Sequence, residues 1–312
     1  MDLITHGLAG ASIGVATSNL IGDGSPQPEL IVSATIASLL PDLDFIFAIA
    51  NKPLLAWRWH RVLLHNVFVV PLLALLAACF THLLFGELPF LTLVWCNAIA
   101  VFAHLFLDLL TSFRTGIFFP FSDRRFALGT HFLSDPLIGI LCALSLVPTW
   151  NGYVLFLLAC YLLVAVALKN SARIVARKQQ LRLGLETHRL HLRPRILAPW
   201  RWLAIIEEDS QYVFFYVTPM QADRAETTSR GIETLAAKLS GNHELLRYFR
   251  SLADFPRYED TERDGLPAIV VEDIQWWWKL PFRPMAMSAI LDADQNPKAV
   301  RESNKFSTSP TG

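Results

Sequence analysis

Charge is scarce in this 312-residue chain: 17% of its residues are charged and 53% are hydrophobic, with a mean hydropathy of +0.38. That balance is too apolar for an ordinary soluble domain and implies a membrane protein. The formal net charge is zero, and no nucleic-acid partner is expected. Cysteine is sparse too. Cys79, Cys96, Cys142 and Cys160 fall inside apolar runs without paired spacing. They read as buried thiols, neither disulfides nor metal ligands. The N-terminal MDLITHGLAGASIG lacks a basic leader region and carries a histidine. It reads as a retained first helix, not a cleaved signal peptide, and is rich in the small residues that let membrane helices approach closely. No internal repeat is present.

The charge that exists is unevenly spread. Residues 1–168 hold 6 Lys/Arg and 9 Asp/Glu, whereas residues 169–312 hold 21 and 18. The first half is therefore expected in the membrane and the second in water. A bilayer core needs about 20 apolar residues per helix, and six candidates follow: 4–22, 29–50, 65–85, 89–112, 136–150 and 152–168. The third and fourth are the strongest. The fifth and sixth are short enough to form one re-entrant hairpin around Trp150-Asn151-Gly152.

Alternate connections lack positive charge. Residues 23–28, 86–88 and 151 contain no Lys or Arg, while Lys52, Arg58 and Arg61 occupy one intervening connection and Arg114, Arg124 and Arg125 the next. Residues 169–195 add eight basic side chains against one Glu. The positive-inside rule then places both termini in the cytoplasm of a multi-pass protein.

The expected fold is an all-α polytopic membrane domain of about four to six helices followed by a small α+β cytoplasmic domain. Its parts are a helical membrane domain (1–168), a basic linker or interfacial helix lying along anionic headgroups (169–195), the soluble domain (196–300) and a disordered tail (301–312). Within the soluble domain, WRWLAIIEEDSQYVFFYVTP reads as two strands around an acidic turn. A polar helical stretch is expected near 230–253, with further strands in PAIVVEDIQWWW and MAMSAILDADQNP.

Against this background certain polar residues stand out. An Asp at the centre of a membrane helix costs roughly 2.5–3.5 kcal/mol on insertion scales, yet Asp42 and Asp44 sit inside IASLLPDLDFIFAI. His6 opens the first span, His60 lies in the loop before the third and His65 at its start, and His104 and Asp108 lie near the end of the fourth. Spacing of four puts His104 and Asp108 on one helix face. All seven fall at one depth on one side. Two carboxylates one residue apart repel, and a divalent cation removes that cost. Imidazole with carboxylate suits zinc first, with manganese or iron as alternatives. Structural ion pairs with Arg61 or Arg114 are the competing reading for Asp108. His82, nearer the opposite face, and the soluble-half His188, His191 and His243 are read as bystanders.

In order, THG, PDLD, HR followed by HN, and HLFLDLLTS resemble the bacterial membrane-bound metal-dependent hydrolase family, the YdjM-like inner-membrane proteins. FFPFSDRRFALGTHFLSDP is similar to the segment that follows in one branch. The resemblance covers about residues 1–170 well and the rest loosely. It implies roles for His6, Asp42, Asp44, His60, His65, His104 and Asp108, with Thr111 beside them, in the inner membrane of a bacterium. One motif departs: the family commonly reads His-Arg-Gly-x-Thr-His-Ser, whereas this chain reads HRVLLHN, with Val62, Leu64 and Asn66 in place of the glycine and the two hydroxyls.

The expected chemistry is metal-dependent hydrolysis at the cytoplasmic membrane face. His6, Asp42, His65, His104 and Asp108 are the leading metal ligands. Asp44 and His60 are further ligands or general bases, and Arg61 is placed to hold an anionic headgroup. Site depth favours an amphiphilic or phosphorylated small molecule, a phosphoester or lipid-like substrate among membrane lipids. A transporter or a non-catalytic, metal-stabilised helix bundle are the alternatives. Residues 118–136 are expected to fold over the site as a lid, with His131 as interfacial residue or additional ligand.

Overall fold

Helix α1 (Leu3–Ile21) is set in place by the residue before it. The Asp2 carboxylate accepts hydrogen bonds from Thr5 N (2.9 Å) and the Thr5 hydroxyl (2.8 Å), so one orphan backbone donor of the first turn is satisfied. Helix α2 (Pro28–Leu39) starts with proline, which suits a first helical position, and its Glu29 carboxylate accepts from Leu88 N at 2.9 Å. The computed structural model describes residues 2–21, 25–45, 60–132, 135–195, 198–230, 254–263, 266–274, 286–291 and 297–302.

Contact between α1 and α2 depends on two glycines four residues apart. A Cβ at Gly10 would collide with Ser38 Oγ and lie 2.5 Å from the Ala34 carbonyl oxygen. At Gly14 it would lie 2.5 Å from Ile31 Cα. Small residues at this spacing let the two backbones touch.

The second expected span does not continue as α-helix. At Leu40–Phe45 the chain tightens into a 3-10 segment, where Pro41 supplies no backbone donor. Residues 46–50 of that span, together with Lys52 and Arg58, lie outside the described residues. Asn66 accepts from Phe68 N and Val69 N and starts a short 3-10 turn that leads into α3 (Val70–Leu84). After α4 (Phe90–Leu110) comes α5 (Pro136–Leu144), capped by Asp135, and then α6 (Asn151–Arg182). At nine residues α5 is too short to cross a bilayer alone. It turns back into α6 through residues 145–150, a turn held to α1 by Asn19 Nδ2 donating to the Pro148 carbonyl (2.9 Å) and Asn151 Nδ2 to the Ser12 carbonyl (3.1 Å). Helix α6 runs unbroken through residue 169 to Arg182.

Among the described residues three stretches are long and apolar enough to cross a membrane: Val67–Leu84, Phe90–Leu110 and Asn151–Arg182. Their outer faces expose Leu76, Phe80, Trp95, Phe102, Phe156 and Leu163, an apolar surface that lipid covers. Inside, Leu30, Ala34, Leu73, Ala77, Leu93 and Val101 form the core shared by α2, α3 and α4.

By contact the chain divides into two compact units: Met1–Ala176 with Leu192–Trp202 and Val217–Gln221, and Arg177–His191 with Leu203–Tyr216 and Ala222–Gly312. Strands β1 (Arg189–Arg195), β2 (Ala198–Glu207), β3 (Gln211–Val217) and β4 (Glu226–Ser229) form one sheet in that order. A second, antiparallel sheet comprises β5 (Pro256–Arg263), β6 (Leu266–Asp273), β7 (Ala286–Leu291) and β8 (Pro297–Glu302). The hairpin read around the acidic turn is β2–β3. In the second unit Leu203, Ile205, Tyr212, Phe255 and Ile274 pack together. Burial pushes the Tyr212 phenol up, and its hydroxyl donates to the Pro256 carbonyl at 3.0 Å. Residues 231–253, nearly all of the stretch expected to be helical near 230–253, and 303–312, most of the tail, lie outside the described residues.

Candidate metal centre

Four segments deliver seven side chains to one place. The Asp2 cap fixes the first turn of α1 and with it His6. The 3-10 segment after α2 carries Asp42 and Asp44, the turn before α3 carries His60 and His65, and the last two turns of α4 carry His104 and Asp108.

The spacing is close. His6 Nε2 lies 3.3 Å from Asp108 Oδ1, and His65 Nε2 lies 3.3 Å from Asp42 Oδ1 and 3.4 Å from Asp108 Oδ2. His65 Nδ1 is 3.4 Å from Asp44 Oδ2, and His60 Nδ1 is 2.8 Å from Asp44 Oδ1. His104 Nε2 stands 3.9 Å from both Asp42 Oδ1 and Asp108 Oδ2. The rings crowd as well: His6 stacks on His104 at 3.7 Å, and His65 lies 5.1 Å from His104. His6, His65, His104 and Asp108 are buried to 1% exposure or less.

Surrounding groups fix these side chains. His104 Nδ1 donates to the Ser38 carbonyl at 2.7 Å, while Ser38 Oγ donates to the His6 carbonyl at 2.9 Å. A histidine tied this way at one nitrogen presents the other as a ligand. The Arg61 guanidinium donates to Asp108 Oδ1 and to Thr111 Oγ1, each at 2.9 Å, and Thr111 Oγ1 donates to the Asp108 carbonyl at 2.8 Å. Arg61 holds a positive φ of 60°, a conformation costing about 1–3 kcal/mol for a non-glycine residue. Its guanidinium bonds and the Gly116 N donation to its carbonyl (2.8 Å) hold it there. Arg61 thus reaches Asp108 and Thr111, the ion pair that was the competing reading for Asp108.

Do these residues fit a metal? Nitrogen and oxygen ligands sit about 2.0–2.2 Å from zinc, which puts ligand atoms around one ion roughly 3–3.5 Å apart. The 3.3–3.4 Å approaches of His6, His65, Asp42, Asp44 and Asp108 match. His6 Nδ1, both His65 nitrogens, His104 Nε2 and Asp44 Oδ2 are buried without a hydrogen-bond partner. Groups of this kind are rarely left so in a folded protein. Among the described residues three ligand sets are available: His6–His104–Asp108, Asp42–His65–His104 and Asp44–His60–His65. The residues fit.

Other histidines stand apart from these sets. His82 packs its ring against Phe90 at 5.6 Å, and His191 Nε2 lies 3.0 Å from Glu207 Oε1. His131 is buried beside Thr130, Asp135 and Tyr161. Its segment closes the end of α4: Leu128, Gly129, Thr130 and His131 donate to the Leu109, Thr111 and Leu110 carbonyls, the last one twice, satisfying acceptors that a helix end leaves open. His243 lies outside the described residues. Sequence reasoning passed over Asp2 and Ser38. Asp2 had a signal, the Asp-x-x-Thr cap before an apolar helix. Ser38 had none, because it acts through its backbone carbonyl and through a contact made possible by Gly10.

A family model described as YdjM inner membrane protein matches residues 1–174, a stretch containing all seven side chains. The chain belongs to the YdjM inner membrane protein family. The uncharacterized protein YfhP of Bacillus subtilis (strain 168) is 29% identical over 143 residues, covering 45% of this chain and 43% of YfhP. The similarity thus spans less than half of that relative's length. No solved structure matches. Membership makes this an inner-membrane-family protein whose buried His/Asp groups are able to hold a metal ion. The departure at Asn66 has a local account: its side chain caps the turn into α3, a role that serine fills equally well in the YdjM-like motif.

Proposed function

We propose that the protein is a membrane-embedded, metal-dependent hydrolase that acts at the cytoplasmic membrane face on a phosphoester or lipid-like substrate. One observation carries the reading: seven metal-competent side chains meet at one end of the helices, several of their atoms 3.3–3.4 Å apart. Zinc is the leading ion, with manganese or iron as alternatives. A bound divalent ion supplies Lewis-acid polarisation and a water of lowered pKa.

The chain's own residues do the rest. His6, Asp42, His65, His104 and Asp108 hold the ion. Arg61 and Thr111 hold Asp108 in orientation. His60 is the most open member, its side chain 28% exposed, and is hydrogen-bonded to Asp44 at 2.8 Å. That pair faces incoming water or substrate and serves as a further ligand or as the base that takes a proton. Both termini are assigned to the cytoplasm from loop charge, which places the open side among inner-leaflet headgroups. The soluble domain follows on the same side.

A hydrolytic assay tests this. Full-length protein in vesicles, stripped of metal and reloaded with zinc or manganese, should release phosphate or a phosphorylated headgroup from a panel of lipid phosphates only in the loaded state. Equal rates before and after loading, or no turnover on any phosphoester by a metal-loaded protein, would leave a non-catalytic metal-stabilised bundle as the better account.

A further inference from the structure

The ligand sets divide in a way that one ion does not explain. His6–His104–Asp108 and Asp44–His60–His65 share no residue, and each comprises two histidines and one aspartate. Asp42 lies toward the first set, with Oδ1 3.3 Å from His65 Nε2 and 3.9 Å from His104 Nε2, whereas His65 turns its other nitrogen, Nδ1, to Asp44 Oδ2 at 3.4 Å. We propose that the centre holds two divalent ions, one on each set, with His65 serving the outer one through Nδ1. The proposal rests on the metal-site reading above and assigns the His60–Asp44 pair to the second ion instead of to a free base.

Three physical points support it. First, seven donors exceed the four ligands of a zinc site and even the six of an octahedral one. A single ion in the middle set, Asp42–His65–His104, would leave the remaining buried donors without a ligand role. Second, the net charge of a two-ion pocket suits the proposed substrate. Asp42, Asp44 and Asp108 bring three negative charges against Arg61. One divalent ion would bring the pocket to neutrality, whereas two leave it positive and ready for an anionic substrate. Third, His65 faces Asp42 and Asp108 through Nε2 and Asp44 through Nδ1, and one ion cannot take both nitrogens of a single imidazole.

The two positions differ in access. The His6–His104–Asp108 set is closed off from solvent, and its His104 is locked by the Ser38 carbonyl. The other set includes the half-open His60. The inner ion is therefore expected to be retained and the outer ion to exchange, so mild chelation should remove one equivalent before the other.

Zinc stoichiometry of the full-length, detergent-solubilised protein decides the matter, read by elemental analysis after desalting. Two zinc per chain in the wild type are expected, falling by half in His60→Ala and in His6→Ala. One zinc per chain in the wild type, a readout that depends on no variant, overturns the pair. So does a content unchanged in both variants, the result expected for one ion on Asp42, His65 and His104. No zinc in the wild type would instead overturn the metal-site reading itself.

Discussion

His104 and Ser38 are joined across two helices: the imidazole Nδ1 of His104 in α4 donates to the Ser38 carbonyl in α2 at 2.7 Å, in a fully buried setting. This bond fixes the tautomer that leaves Nε2 facing Asp42 and Asp108. Because the acceptor is backbone, its position depends on how closely α1 and α2 pack at Gly10. Gly10→Val should push α2 away and weaken metal binding by about 10–100-fold, the usual effect of losing a supporting contact to a ligand histidine. Gly152→Val, where an added Cβ meets nothing within 4 Å, should leave affinity unchanged. Metal titration of both variants checks this; equal affinities would detach the helix contact from the site.

The adjacent carboxylates Asp42 and Asp44 carry the second prediction. Uncompensated, two like charges one residue apart raise each other's cost. An ion bound only to the native state adds about 4 kcal/mol at a thousandfold excess over its Kd. Chelation should therefore lower the thermal midpoint of the wild type in detergent. In the Asp42→Asn, Asp44→Asn double variant it should lower the midpoint much less. Equal chelator sensitivity would mean that this pair does not hold the metal.

Arg61 and Asp108 form a buried ion pair at 2.9 Å. Removing one member of such a pair costs about 3–5 kcal/mol, so Arg61→Met should destabilise strongly. Adding Asp108→Asn should recover part of that loss, because the neutral amide no longer leaves a buried charge. Denaturation of the single and double variants measures the coupling. Strictly additive losses would show that the two residues act independently.

Much of the centre was legible because its residues violate the apolar pattern around them. Asp42, Asp44, His104 and Asp108 are conspicuous in runs of leucine and phenylalanine, and loop charge placed them at one depth. What could not be read were features created by tertiary contact. The Arg61–Asp108 pair was among the readings open for Asp108, but the positive φ of Arg61 and its bond to Thr111 had no signal in the sequence. His131 carries the same side chain as the site histidines but sits on the strap that closes α4. The second span looked continuous by composition, whereas the α-helix ends at Leu39, just before Pro41. The last span was cut at residue 168 by its change of composition, although a helix whose exposed face turns from apolar to basic continues without a break.

Topology is checked by reporter fusions. Fusions after residues 25 and 87 should report the periplasmic side, and a fusion after residue 186, in the turn beyond α6, the cytoplasmic side. A periplasmic signal at 186 would reverse the orientation and move the site to the opposite leaflet.

The most direct measurement is the divalent metal content of purified, monodisperse protein, wild type against Asp108→Ala. Asp108 lies within 3.4 Å of both His6 and His65 and anchors Arg61, so its loss opens the centre from its buried side. The wild type should carry at least one divalent transition metal ion per chain, and the variant should lose most of it while remaining in the membrane fraction. A metal-free wild type, or the same content in both proteins, would contradict a metal centre built from these seven residues.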